Sequence, residues 1–445
     1  MQNAGIKGIG REYIRFVVPS VIAMMISSVY IIIDGVFVGQ GIGETALAAV
    51  NIVFPFIFLT MALTLLIAIG GANVYSFYKG SGDMAKANNV FCQCVALLIA
   101  LGLLLGIPSF VFRRELGLLL GANSDILPYV TAFLAWAAPL QLLQSLTLGV
   151  SVFIRNDDAP GLVMAGTIAG SLVNVVLEYI FIMRLHKGIE YTVIANNIAM
   201  LVQGLIFAAR FVFRKGQLTL ALPRFRGFDL KRIFANGVST FLMELSQSTV
   251  AYSFNLALIH SHGTQGVASY AIVTYICAIV YSVMIGVSQG AQPLMSRSHG
   301  GGDEKTVYRV YKMGVRTNIA ASTAFLILCL ILGKGMAALF QSGNSGLTDS
   351  AAHMLRLFTP GYIMIGLTLM NILYFQTTER DRYSTVVALL RCVGFVQVLL
   401  LILVPLVGGN GIYPAFIGGE ACNAVLSFVF VRRAVRRSIP AGEIA

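Results

Sequence analysis

Residues Phe16–Val38 read FVVPSVIAMMISSVYIIIDGVFV, and the run closes on Gly39-Gln40-Gly41-Ile42-Gly43. A stretch of about 20 apolar residues is enough to cross the hydrocarbon core as a helix. This one qualifies, and it carries a single acid, Asp34. A carboxylate deep in a membrane helix costs about 2.5–3.5 kcal/mol on insertion scales, so such groups face a protein interior or a wet cavity and mark an ion or substrate path. The plainer alternative gives Asp34 a polar neighbour and no task. Pro19, earlier in the same run, removes a backbone hydrogen bond and permits a kink. A helix with both a hinge and a titratable group can move when that group titrates.

Working outward, 57% of the 445 residues are hydrophobic and 11% charged, and the mean hydropathy is +0.82. Soluble domains carry about a quarter charged residues, so the chain is a polytopic membrane protein. Met1–Gly10 is polar and small, and the first apolar run is too long for a signal-peptide core and lacks a cleavage site. No cleaved leader is expected. The six cysteines all lie in apolar segments without zinc-finger or thioredoxin spacing, and read as small buried hydrophobes. The net charge of +12 sits in short loops, where it sets membrane orientation and argues against a nucleic-acid partner.

Apolar runs fall near 14–38, 46–77, 88–112, 128–153, 160–183, 190–213, 233–259, 266–295, 312–333, 352–376, 384–407 and 411–431, giving twelve expected helices. Alternate loops carry nearly all the Lys and Arg, and the opposite side only Arg113, Arg114, Arg184, Lys187 and Lys334. By the positive-inside rule both termini are cytoplasmic. Arg356 and Arg391 lie within helices and are expected to snorkel. An internal repeat organises the whole. Tyr78-Lys79-Gly80-Ser81-Gly82-Asp83 recurs 220 residues on as Ser298-His299-Gly300-Gly301-Gly302-Asp303, with Gly70 falling on Gly290, Val53 on Val273 and Val90 on Val310. Ala138-Pro139 falls on Thr359-Pro360 at an offset of 221. The expected fold is all-α, with twelve transmembrane helices in two parallel six-helix lobes: 1–209, a basic cytoplasmic linker 210–232, and 233–445 ending in a short tail.

At this point the motifs resemble a known family. Asp34-Gly35-Val36-Phe37-Val38-Gly39-Gln40-Gly41-Ile42-Gly43 with Ala46-Leu47-Ala48-Ala49 is similar to the first-helix signature of the multidrug and toxic compound extrusion (MATE) transporters, bacterial MepA-like branch. Gly80-Ser81-Gly82-Asp83, Arg155-Asn156-Asp157-Asp158-Ala159-Pro160 and Asn174-Val175-Val176-Leu177-Glu178 extend the likeness over nearly the whole chain. In the family pattern the fifth-helix motif usually ends in Asp, and here Glu178 is one methylene longer. The sixth helix opens Gly188-Ile189-Glu190-Tyr191-Thr192, where relatives commonly place small residues. The resemblance implies a secondary antiporter of the bacterial cytoplasmic membrane that exports lipophilic, mostly cationic compounds in exchange for H+ or Na+ by alternating access. It implies no cofactor and no obligatory protein partner beyond the bilayer. A lipid-linked sugar flippase of the same superfamily is the alternative, but it usually shows a more cationic cavity.

The resemblance makes Asp34, Asn174 and Glu178 the ion-coupling site of the first lobe, with Asn196 on the sixth helix nearby. Asn174 and Glu178 are one turn apart and share a helix face, and oxygen ligands suit a proton or Na+ rather than a soft metal. Neighbouring carboxylates in a low dielectric strengthen each other's hold on a proton, giving a group able to release it near neutral pH. Glu244 opens the second lobe opposite an apolar counterpart, Ile26, and is either an ion or drug contact or a structural partner. Glu420 reads as structural. Tyr30, Phe37, Tyr252, Phe254 and Tyr270 are candidates to line a cavity for flat cations, although most aromatics in such a chain face lipid or core. Gly80-Ser81-Gly82-Asp83 also spells the GxGD string of intramembrane aspartyl proteases. Its place in a Lys-flanked loop and its recurrence at Gly300–Asp303 suit a turn and helix cap instead. No metalloprotease, P-loop or dinucleotide string is present, so neither a membrane enzyme nor an ATP-driven pump is expected.

Overall fold

A computed structural model describes residues 6–213, 215–224, 230–339 and 345–438. The linker cations Arg214 and Arg226 and the two chain ends lie outside the described residues. Those that are described form helices and turns, with no strand among them. α1 spans Ile6–Gly41, α2 Glu44–Gly80, α3 Met84–Val111, α4 Arg113–Leu119, α5 Leu127–Leu134, α6 Ala137–Asn156, α7 Pro160–Glu178 and α8 Glu190–Val212. They are followed by α9 Leu230–Gly300, α10 Glu304–Ala338, α11 Ser345–Thr377, α12 Asp381–Leu389, α13 Phe395–Val407 and α14 Ile412–Ser438.

Among the described residues, ten stretches have the length and hydropathy of a span. Two breaks, both falling between the apolar runs of the sequence, complete the twelve-span architecture. α9 departs from helical geometry at Gly263, with φ 62° and ψ −159°, which separates a seventh span from an eighth. Asp381–Ser438 is 58 residues long, about twice what a bilayer needs, and Gly408 at φ 71° divides it through the short 3-10 turn Gly408–Gly411. The fourth run, expected as one helix over 128–153, is instead broken at Ala135-Trp136 between α5 and α6. Its apolar side chains continue through the break, so composition gives no sign of it.

Backbone geometry repeats along with the sequence. Gly43 and Gly263 both adopt positive φ, as do Gly82 and Gly302, and as do the non-glycine residues Asp158 and Glu379. Asp83 caps α3 by accepting the Lys86 N–H at 3.0 Å, and Asp303 caps α10 by accepting the Thr306 N–H at 3.0 Å. These loop acids are caps, as a turn duplicated with the fold requires. The side-chain hydrogen bond from Lys86 also holds the Asp83 carboxyl below the usual carboxylate range.

The chain forms two compact units, Ile22–Gly237 and Met1–Val21 with Val238–Ala445. Within the first, α3 packs on α6, α7 on α8, and α2 on both α3 and α6. Within the second, α10 packs on α11, and α14 on α11 and α13. Lipid tails are as apolar as leucine, so helices in a membrane associate through close packing rather than through escape from water, and small residues set how close they come. A methyl placed on Gly70 of α2 would strike the backbone of Ile233, and one on Gly237 would strike that of Leu66. The start of α9 therefore lies directly on α2. In the second unit a methyl on Gly286 or Gly290 would come within 2.5 Å of the Val21 Cα or 2.6 Å of the Val17 Cα. Residues 16–21 of α1 are thereby seated on the later part of α9. Gly70 and Gly290 are the pair that coincide in the sequence repeat, and each is a backbone-contact crossing of its own unit.

Candidate functional site

The chemistry of the first unit gathers where α1 meets α7. Asp34 lies in the last third of α1, and Glu178 is the final residue of α7 before six residues of π-helix, Tyr179–Arg184. A π turn widens the helix and is frequent at functional sites. Its Ile182 and Met183 side chains lie against Gly41, where any larger residue would clash. That contact fixes the end of α1 beside the end of α7.

The two carboxyl groups, Asp34 and Glu178, lie within hydrogen-bonding reach of each other. Asn174, one turn before Glu178, donates its Nδ2 to Glu178 Oε1 at 3.2 Å. Asn174 and Glu178 are 1% and 0% exposed, so α7 turns this face wholly inward. Asp34 Oδ1, Asn174 Oδ1 and Glu178 Oε2 are buried and have no hydrogen-bond partner among the described residues. Three adjoining side chains thus each present one unpaired oxygen. Leaving buried acceptors unpaired is costly, and the group that satisfies such oxygens is a proton or a hard cation.

Of the residues expected at this site, Asp34, Asn174 and Glu178 are together, and Tyr30 stands within electrostatic reach of both carboxyls. Phe37 packs its ring 6.3 Å from that of Tyr179, next to Glu178 in sequence. Asn196 is half-buried. The buried amide of this helix is its neighbour Asn197, which donates to the Trp136 carbonyl at 3.3 Å. Pro19 lies within the helical span of α1, two residues before the division between the units at Val21. In the second unit Tyr252 is 70% exposed, whereas Phe254 is fully buried in a ring cluster with Tyr270, Phe358 and Phe416. Phe254 is therefore a core residue, and Tyr270 packs against it at 5.6 Å.

Two buried charge arrangements were not anticipated. Arg391 does not snorkel: it is 3% exposed, and its Nε donates to both oxygens of Glu420, at 3.0 and 3.2 Å. At the end of α6 in the first unit, Asp157 accepts the Arg210 Nε at 2.9 Å and the Gln217 N–H at 3.0 Å. Lys79 pairs with Asp158 at 2.6 Å beside it. A usable signal existed for each. Arg391 and Glu420 are opposite charges in neighbouring apolar runs, and Asp157-Asp158 stands between the basic Lys79 loop and Arg210. Among the described residues no group of three or more His, Cys, Asp and Glu could hold a metal ion.

Comparison with known proteins gives the same outline. The chain is 23% identical over 422 residues to the multidrug export protein MepA of Staphylococcus saprophyticus, covering 94% of this chain and 92% of that one. MepA of Staphylococcus aureus is also 23% identical, with 95% and 93% coverage. A MOP-superfamily transporter from Pyrococcus furiosus superimposes with a TM-score of 0.90 at 21% identity, over 97% of this chain and 96% of that one. A MATE transporter crystallised in a bent conformation gives 0.85 at 21% identity, with 97% and 96% coverage. The same description in a straight conformation gives 0.89 at 20%, with 97% of each chain covered. The MatE family model matches residues 19–180 and 240–403, one segment for each copy of the repeat, and the chain belongs to the MatE family.

Proposed function

We propose that this protein is a secondary antiporter that expels lipophilic, mostly cationic small molecules in exchange for H+ or Na+. The observation that carries the reading is the trio of unpaired buried oxygens on Asp34, Asn174 and Glu178. Two carboxyls within hydrogen-bonding reach bind each other when they share a proton, and lose that bond when it leaves. Na+ would occupy the same oxygens in place of the proton. Relatives named as multidrug exporters support the cargo class, and the scheme requires neither a cofactor nor a catalytic step. The test is dye movement into everted vesicles from cells making the protein, under an imposed pH gradient and then a sodium gradient. Rhodamine 6G should accumulate inside under at least one of them. Dye movement that ignores both would sink the proposal.

Pro19 is the proposed hinge through which the ion site moves α1. It frees a carbonyl that a bend exposes at little cost, and a neighbour of this fold crystallised in forms described as bent and straight supports a fold with more than one conformation. Pro19→Ala is expected to lower dye efflux at unchanged membrane expression. Full efflux by that variant at every pH would remove the hinge from the mechanism.

The loop charges support placing both termini and the linker on the cytoplasmic side of a bacterial inner membrane. Lys215 is exposed in the linker and Ser124 in the turn before α5. An impermeant thiol reagent added to intact cells should label Ser124→Cys and spare Lys215→Cys. The reverse pattern would turn the topology over.

A further inference from the structure

The second unit holds three ionisable groups close together inside the apolar helices, and they are not equivalent. Arg391 sits in a short π turn, Leu390–Gly394, between α12 and α13. Glu420 on α14 is fully buried and takes the Arg391 Nε on both oxygens. The guanidinium is held from its other side by α9, where Arg391 Nη1 donates to Ser246 Oγ at 3.4 Å and lies 3.9 Å from Met243 Sδ. Met243 and Ser246 are three apart and so share one face of α9. Glu244 is on the next face round. It is half-buried and within electrostatic reach of Arg391, and among the described residues it has no ion-pair partner. Tyr281 is within electrostatic reach of all three charges.

Charge counting gives this geometry a consequence. One cation and two acids leave one acid over, and which acid is left over is set by whichever one Arg391 binds. We infer that Glu420 is a positioning residue: by holding Arg391 in the π turn it keeps the guanidinium off Glu244, leaving Glu244 as the second unit's unneutralised acid for the positive charge of a cationic cargo. This inference rests on the cation-export reading and goes beyond it, since Glu420 is 0% exposed and meets no cargo. The mere presence of a buried pair does not argue for stability, because apolar residues of similar volume often replace such pairs without loss. What the pair supplies here is a fixed place for a positive charge that has a competing partner within reach. The first unit has the same layout in one respect, for its own acid pair also adjoins a π turn, Tyr179–Arg184.

The test is equilibrium binding of rhodamine 6G, a permanent monocation, to purified full-length protein by fluorescence anisotropy, with thermal melting in parallel. Glu420→Gln frees Arg391 to neutralise Glu244, so it is expected to weaken binding about tenfold or more, as Glu244→Gln does. Removing the released cation as well, in Arg391→Gln/Glu420→Gln, should bring affinity back to within about twofold of wild type. That rescue is what a merely structural role for Glu420 would not produce. If Glu420→Gln fails to fold, Arg391→Leu/Glu420→Leu carries the test: it should keep near wild-type affinity, and adding Glu244→Gln should abolish it. A double variant that binds as poorly as Glu244→Gln, or a folded Glu420→Gln protein that binds like wild type, overturns the inference while leaving cation export standing. Wild-type protein that does not bind rhodamine 6G at all overturns the export reading, and this inference with it.

Discussion

The Asp34→Asn protein is expected to fold, insert and bind cargo, yet to move none of it in response to an ion gradient. The amide keeps the shape of a protonated carboxyl and can still hydrogen-bond Glu178, but it has no proton to release and gives a cation one oxygen fewer in charge. If ion and drug exclude one another, linkage requires each to weaken the other by the same factor, about 5–150-fold for coupling free energies of the usual size. In the variant that factor should collapse towards one, so that cargo affinity no longer varies with pH or sodium. Glu178→Gln should act similarly. The double variant should add little, because residues sharing one proton act as a unit and their effects do not sum. Titrating a fluorescent cation against wild type and variants across pH and sodium concentration measures this directly. Wild-type ion dependence in Asp34→Asn, together with wild-type efflux, would place the switch elsewhere, and Glu244 would be the next residue to test.

The parts of this site were legible in the sequence because each is either local or tied to a strong pattern, whereas their grouping across α1 and α7 came only from the family resemblance. Asn174 and Glu178 are four apart on one helix, so their shared face follows from helical geometry alone, and an acid such as Asp34 in an apolar run is conspicuous by its cost. The spans themselves were legible for a similar reason, since bilayer thickness sets run length. Whatever depended on how one helix is rotated against another was not. Arg391 and Glu420 are 29 residues apart, and although their opposite charges are a hint, neither run alone says that the π turn before α13 and the helix α14 turn those positions towards each other. Judged singly, an arginine in a membrane helix snorkels and a glutamate is a structural oddity. Judged as a pair, they neutralise one another in the interior. The break at Ala135-Trp136 escaped for a different reason, because a change of backbone dihedral leaves hydropathy unaltered. Nor could hydropathy show that α1 divides between the units at Val21 and α9 at Gly237. Both helices run on through those points with their apolar character intact.

Asp157→Ala should be the most destabilising substitution in the first unit, through a network at the end of α6 that is separate from the Asp34–Glu178 site. Asp157 is 2% exposed and is held from three directions. Arg210 on α8 reaches it through Nε at 2.9 Å and Nη2 at 2.6 Å, the Gln217 N–H donates at 3.0 Å, and the Tyr75 hydroxyl on α2 lies at 3.4 Å. Beyond Gln217 the extended segment continues along α3: Asn88 accepts the Thr219 N–H, Asn89 accepts the Arg224 N–H, and Gln93 donates to the Arg224 carbonyl. Gly216 at φ 119° makes the turn between the two parts, and a methyl there would strike both Asp157 and Arg210. Removing the carboxylate therefore strands a partly buried guanidinium and a backbone donor at once. Breaking a buried pair from one side costs about 3–5 kcal/mol. Arg210→Met should cost less, because Asp157 keeps its Gln217 and Tyr75 contacts. The segment 217–224 should also loosen in Asp157→Ala, since its first anchor is gone, and trypsin should then cut at Lys215 and Arg224 faster than in wild type. Thermal melting and limited proteolysis of the purified proteins separate the two effects. An Asp157→Ala protein with wild-type melting and wild-type cleavage would show that the α3 contacts alone hold the segment and that the Asp157–Arg210 pair contributes nothing to stability.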